Sequence, residues 1–134
     1  MKISNTFWAR IYIGFRPGYI ESYNPGDDNQ KNIDLNRVKD ICREYCDDVK
    51  LCVNIQPTTF IYVEGEENGA VVELINYPRF EVNDRNIRTK AINLGRILKH
   101  CFSQNRISVM FPDTTIMIEE DIEEDVEPWL CEEL

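Results

Sequence analysis

The stretch from Leu51 to Phe80, LCVNIQPTTFIYVEGEENGAVVELINYPRF, constrains the fold more than any other part of the chain. Cys52 to Val63 is rich in β-branched and aromatic side chains, which suit a pleated, half-buried surface. Glu64-Gly65-Glu66-Glu67-Asn68-Gly69 follows, an acidic loop ending in Asn-Gly, a turn dipeptide that tolerates positive φ. Ala70 to Tyr77 reads as the return strand, and Pro78, which has no N–H for a ladder, ends it. The stretch is a long β-hairpin and is expected to form the middle of a sheet.

The flanking segments supply what the hairpin packs against. From Thr6 to Phe15, Trp8, Arg10 and Tyr12 alternate with Phe7, Ala9, Ile11 and Ile13, a period-2 strand with aromatic residues on both faces. Gly14 and Arg16-Pro17-Gly18 end it, and a polar loop runs on to Asn32 with Pro25-Gly26-Asp27-Asp28 as its turn signal. Asp34 is the expected N-cap of a helix to about Asp48, with Leu35, Val38, Ile41, Cys42 and Tyr45 at helical spacing. Asn83 or Asp84 caps a second helix, striped by Ile87, Ala91, Leu94, Ile97, Leu98, Cys101 and Phe102. Arg106–Phe111 and Thr114–Ile118 follow as two short strands about Pro112-Asp113. The order β-α-β-β-α-β-β predicts an α+β fold, an antiparallel sheet with both helices on one face.

At 134 residues this is expected to be one domain over residues 1–118, followed by an acidic tail over 119–134. Nine of the 24 acidic residues fall at or after Glu119, which leaves 15 acids against 15 bases in the body and places the whole net charge of −9 in the tail. A neutral body excludes long nucleic acid as a partner, since that needs a basic face. No run approaches the roughly 18 apolar residues of a membrane span. MKISNTFWAR lacks the apolar core of a secretory signal, so the chain is expected inside the cell. Within the tail, Val126, Trp129 and Leu130 form a short apolar stripe that is expected to dock it.

No catalytic or metal signature stands out. Cys42 and Cys46 lie at i and i+4, and Cys52, Cys101 and Cys131 stand apart, which fits ordinary thiols better than paired zinc ligands. His100, the one histidine, is next to Cys101, and helix neighbours point about 100° apart. There is no nucleophile elbow and no glycine-rich phosphate loop before a helix. No catalytic residue, no metal and no cofactor is therefore expected. What remains suits nucleotide binding: Tyr77, Arg79 and Phe80 beside Pro78, Arg106 at a strand start, Asn93 and Arg96 on the second helix. Aromatic faces stack on bases and arginine forks grip phosphate. The same residues also read as core aromatics and solvated arginines.

The segments WARIYIGF, ICREYCDDV, LCVNIQPTTFIYVEG, NGAVVELINYPRF and RISVMFPDTTIMIE resemble, in look and order, the phage Thoeris anti-defence sponge family. Those proteins sequester glycocyclic ADP-ribose isomers, and similar members also hold cyclic oligonucleotides at a separate site. The resemblance implies a non-enzymatic homo-oligomer, a dimer or a multiple of one, that binds a small cyclic nucleotide intact in the cytoplasm of an infected bacterial host. It implies Phe80 for base stacking and Arg106 for phosphate, with Phe15, Arg79 and Asn93 as further binding positions. The loop from Pro17 to Asn32 and the acidic tail depart from the family's compact form. Two other readings stay open: an enzyme that degrades such a signal with His100 as general base, and an acidic protein that inhibits a defence complex through its tail.

Overall fold

A computed structural model describes residues 1–16 and 28–120. The alternation read in the first strand is observed as β1 (Trp8–Gly14), where every second side chain is buried. The helix α1 (Asp28–Val49) follows, then the hairpin of β2 (Val53–Tyr62) and β3 (Gly65–Ile75). A single 3-10 turn at Pro78–Phe80 leads to α2 (Asp84–Cys101), and β4 (Ile107–Met110) and β5 (Thr115–Ile118) complete the chain. The five strands form one antiparallel sheet in the order β2-β3-β1-β4-β5, with both helices against it, so the expected α+β class and element order are observed.

The core lies between sheet and helices. Ala9, Ile11 and Ile13 of β1 sit opposite Leu74, Val72 and Ala70 of β3, and Val109 joins them from β4. Val38 and Ile41 of α1 and Ile87, Leu94 and Leu98 of α2 cover this face and are almost wholly buried. Helix α2 starts where a cap is available: the Asn83 side chain accepts a hydrogen bond from the Asn86 N–H at 2.8 Å. It ends with Ser103 at φ 53, and the Gln104 N–H returns to the Lys99 carbonyl, a left-handed helix stop.

Three expectations are corrected. The hairpin is not the middle of the sheet: β2 is an edge strand and β1 is central. Pro57 explains this, since a residue with no N–H is tolerated on an edge and would break a ladder in the middle. Nor is Asn68-Gly69 the turn. The strands close at Tyr62 and Gly65 around Val63-Glu64, with Glu64 at φ 59, and Asn68 and Gly69 continue β3. Finally, α1 begins at Asp28, just after the last breakers Pro25-Gly26, so Asp34 lies inside the helix. There its carboxyl is pushed up by burial, with Arg37 one turn on acting the other way.

Among the described cysteines Cys42, Cys46 and Cys52 are free thiols, whereas Cys101, expected to be idle, is disulfide-bonded. Burial pushes the Cys42 thiol up to about 12, so it is inert at neutral pH. The expected tail from residue 121 on, with its apolar stripe, and residues 17–27 of the expected Pro17–Asn32 loop lie outside the described residues, while the last five residues of that loop are the start of α1.

Candidate functional site

Both helices cover the same face of the sheet, and among the described elements none covers the other face, which carries the opposite half of every strand's alternation. On β1 these are Trp8, Arg10, Tyr12 and Gly14, and β3 sets Ile75, Glu73, Val71 and Gly69 opposite them. An antiparallel sheet can leave one face to water, but such a face is usually polar. This one is mixed, with aromatic rings beside a small set of charged groups.

The charged groups at its centre are tied together. Arg10 Nε donates to Glu73 at 2.7 Å, and Asn54 Nδ2 donates to the other carboxylate oxygen at 3.1 Å. The Arg10 guanidinium also lies 4.2 Å from the Trp8 ring centroid, a cation–π contact. The hydrogen bond from Arg10 holds the Glu73 carboxyl below the usual glutamate range, helped by Asn54, and the same bond raises Arg10.

At the Gly14 end two glycines face each other across β1 and β3. A Cβ on Gly69 would lie 2.3 Å from the Ile13 carbonyl oxygen and 2.4 Å from a Phe60 ring carbon, so the bare backbone there lets the Phe60 ring lie across β3. A Cβ on Gly14 would lie 2.6 Å from a Glu67 carboxylate oxygen. Glu67 thus rests on the end of β1, where it accepts the Arg16 N–H at 3.0 Å. The Phe60 ring meets Tyr12 edge-on, with centroids 6.5 Å apart. Gln104 Nε2 donates to the Arg16 carbonyl at 2.7 Å and fixes the chain beyond β1. One carboxylate, one phenol and one phenyl ring therefore converge at this end of the uncovered face. Such a group set can hold a small aromatic cation: the rings attract positive charge and the carboxylate pairs with it.

The residues expected to bind ligand are not brought together. Phe80 is 65% exposed on the 3-10 turn, with Arg79 5.2 Å over its ring, at the Trp8 end of the sheet. Arg106 is exposed just before β4, at the Gly14 end. Antiparallel pairing puts them a strand length apart, about 20 Å at 3.3 Å per residue. Phe15 is in the core, stacked on Phe102 with centroids 5.8 Å apart. Asn93 is exposed on α2 and reaches the Tyr45 phenol, and His100 is exposed in the last turn of α2, in the helix layer rather than on the uncovered face. Sequence reading passed over Glu67, Phe60 and Glu73. The signal for them was the glycine pair, Gly14 and Gly69, which makes sense only once β1 and β3 are known to be neighbours.

No family model and no curated protein matches the chain. Solved structures do. A phage SAM lyase in the apo state aligns over 88% of this chain and 92% of its own, with TM-score 0.59 and 18% identity. A phage SAM lyase in complex with S-methyl-5'-thioadenosine aligns over 92% and 97%, with TM-score 0.66 and 18% identity. At that identity the likeness establishes a shared fold over nearly the whole of both chains.

The expectation of a non-enzymatic sponge for a cyclic nucleotide signal is overturned by these likenesses, because both of these structures are of a lyase and the small molecule bound in one is a linear thionucleoside. The expectation rested on a resemblance in the look and order of segments, and the fold those segments build is one shared with a lyase. Among the described residues no group of three His, Cys, Asp or Glu side chains is placed to hold a metal, and no helix is long and apolar enough to cross a membrane.

Proposed function

We propose that the chain is a lyase acting on S-adenosylmethionine or a close sulfonium nucleoside, with its site on the uncovered sheet face at the Gly14 end. The observation that supports this most is the near-complete alignment, in both directions, with a phage SAM lyase holding S-methyl-5'-thioadenosine. That molecule is S-adenosylmethionine without its four-carbon amino-acid arm. In the reaction the bond between sulfur and the arm's γ-carbon breaks, and its electron pair stays on sulfur to give a neutral thioether. The γ-carbon is satisfied without water when the arm's own carboxylate attacks it and closes a lactone.

The residue types at the site suit this chemistry. Sulfonium and carboxylate both lose their charge as the bond changes hands, so tight solvation of either ion would hold the reactants back. Aromatic faces such as Tyr12 and Phe60 attract the sulfonium modestly, about 0.5–2 kcal/mol, without hydrating it. Glu67 takes the arm's ammonium group and so turns the neighbouring carboxylate toward the γ-carbon, a positioning role. The apolar remainder of the face, Val71, Ile75, Met110 and Met117, is covered by further copies of the chain, which exclude water from the site.

The test is direct. Purified protein is incubated with S-adenosylmethionine and the mixture is resolved by mass spectrometry. The expected result is stoichiometric S-methyl-5'-thioadenosine and homoserine lactone, with S-adenosylhomocysteine left intact because a neutral thioether is a poor leaving group. Recovery of unchanged S-adenosylmethionine under all conditions would reject the proposal.

A further inference from the structure

We propose a second small-molecule site, in the cavity of about 330 Å³ bounded by the end of α1, the start of β2 and the first half of α2, and that it takes a flat aromatic anion. It lies at the Trp8 end, where the sheet meets the end of α1 and the start of α2, with Cys52, Ile75 and Tyr77 on its sheet side, whereas the candidate lyase site is at the Gly14 end, a strand length away. The proposal therefore does not rest on the lyase reading. The volume is at the lower end of small-ligand pockets, about 300–1,000 Å³.

Three observations define the ligand. The lining is largely apolar, with Leu51, Ile75, Val82 and Ile87, and it includes the Tyr77 and Phe80 rings. Phe80 is held 65% exposed on a turn that Pro78 fixes, which leaves a rigid ring to stack against. Next, Lys50 and Lys90 both line the cavity, no carboxylate does, and neither lysine enters an ion pair among the described residues. Two lysines thus place positive charge at one point of a body whose acids and bases balance, with Asp47, near enough to act on the Cys46 thiol, as the carboxylate beside it. The neighbouring Cys46 thiol is pushed up by burial and stays neutral, so it does not cancel that charge. Third, Lys50 sits at φ 58, just past the end of α1, where glycine or asparagine is usual. Backbone strain of this kind gathers at ligand clamps.

The experiment uses isotope-labelled full-length protein titrated by NMR with indole-3-acetate and, as its neutral match, indole-3-acetamide. The acid should shift the amides lining the cavity and bind about fivefold tighter than the amide, the size of one or two partly exposed charge contacts. Lys90→Gln should abolish that preference while leaving the amide's affinity unchanged. Phe80→Ala, an exposed position where folding is not at stake, should weaken both ligands about tenfold. Equal affinity for acid and amide in the parent would overturn the proposal. So would shifts confined to another part of the molecule, or no binding even at about 10 mM ligand, below the weak end of ordinary affinities.

Discussion

Glu67 and Glu73 lie on one strand and on one face of the sheet, yet their surroundings give them different work. Glu73 is held between Arg10 and Asn54 and is already satisfied, so it serves the structure. Its carboxyl is lowered, which means that the native state favours the charged form. The stability this contributes is in place above the ordinary glutamate value of about 4.3 and is lost as pH falls through the lowered native one. Melting temperatures of the parent and Glu73→Gln should therefore differ by a constant amount from about pH 7 to pH 5 and converge below about pH 4. A gap that widened on acidification would contradict the assignment. Among the described residues Glu67 accepts only the Arg16 N–H, across the bare edge of Gly14, and its second oxygen has capacity for a ligand. Glu67→Gln should lower lyase turnover by about a hundredfold, the usual cost of losing a positioning contact, with the far-ultraviolet dichroism unchanged. Parental turnover in that variant would remove Glu67 from the site.

At the scale of elements, β3 decides the arrangement because it pairs on both sides, with β1 and with β2. Gly69 sits where these ladders and the Phe60 ring meet. Gly69→Ala should destabilise the protein by about 1–3 kcal/mol, the range for overpacking a filled site, seen as a lower urea midpoint with an unchanged slope. An unaltered midpoint would mean that Phe60 gives way freely. The edge position of β2 was legible in Pro57, a residue that a central strand does not accommodate. The turn was less legible. Asn68-Gly69 is a strong local turn signal, and it lost to the pairing of Gly69 with Gly14, a contact between residues far apart in sequence.

For the fold as a whole the unmet demand is the sheet face that no described element covers. Trp8, Tyr12, Val71, Met110 and Met117 share it, and Met117 alone is 53% exposed. Large apolar patches of this kind mark association surfaces. On the proposed self-association the parent chain should behave as a homo-oligomer in light scattering at micromolar concentration. Val71→Lys, at the centre of the face, should shift it to monomer and lower lyase turnover together. A monomeric parent would remove both the interface and the water exclusion argued from it.

By itself the sequence determined what depends on neighbours along the chain. The period-2 pattern of Trp8–Gly14, the helical stripe from Ile87 to Cys101 and the Asn83 cap are local, and with them came the α+β class and the order of elements. Tertiary structure decided what depends on which strands meet. It made β1 central, joined Gly14 to Gly69, brought Glu67, Tyr12 and Phe60 to one end of an uncovered face, and set Phe80 and Arg106 at opposite ends. Strand order is fixed by burial of one shared face, a property of all five strands at once, and no single segment contains it.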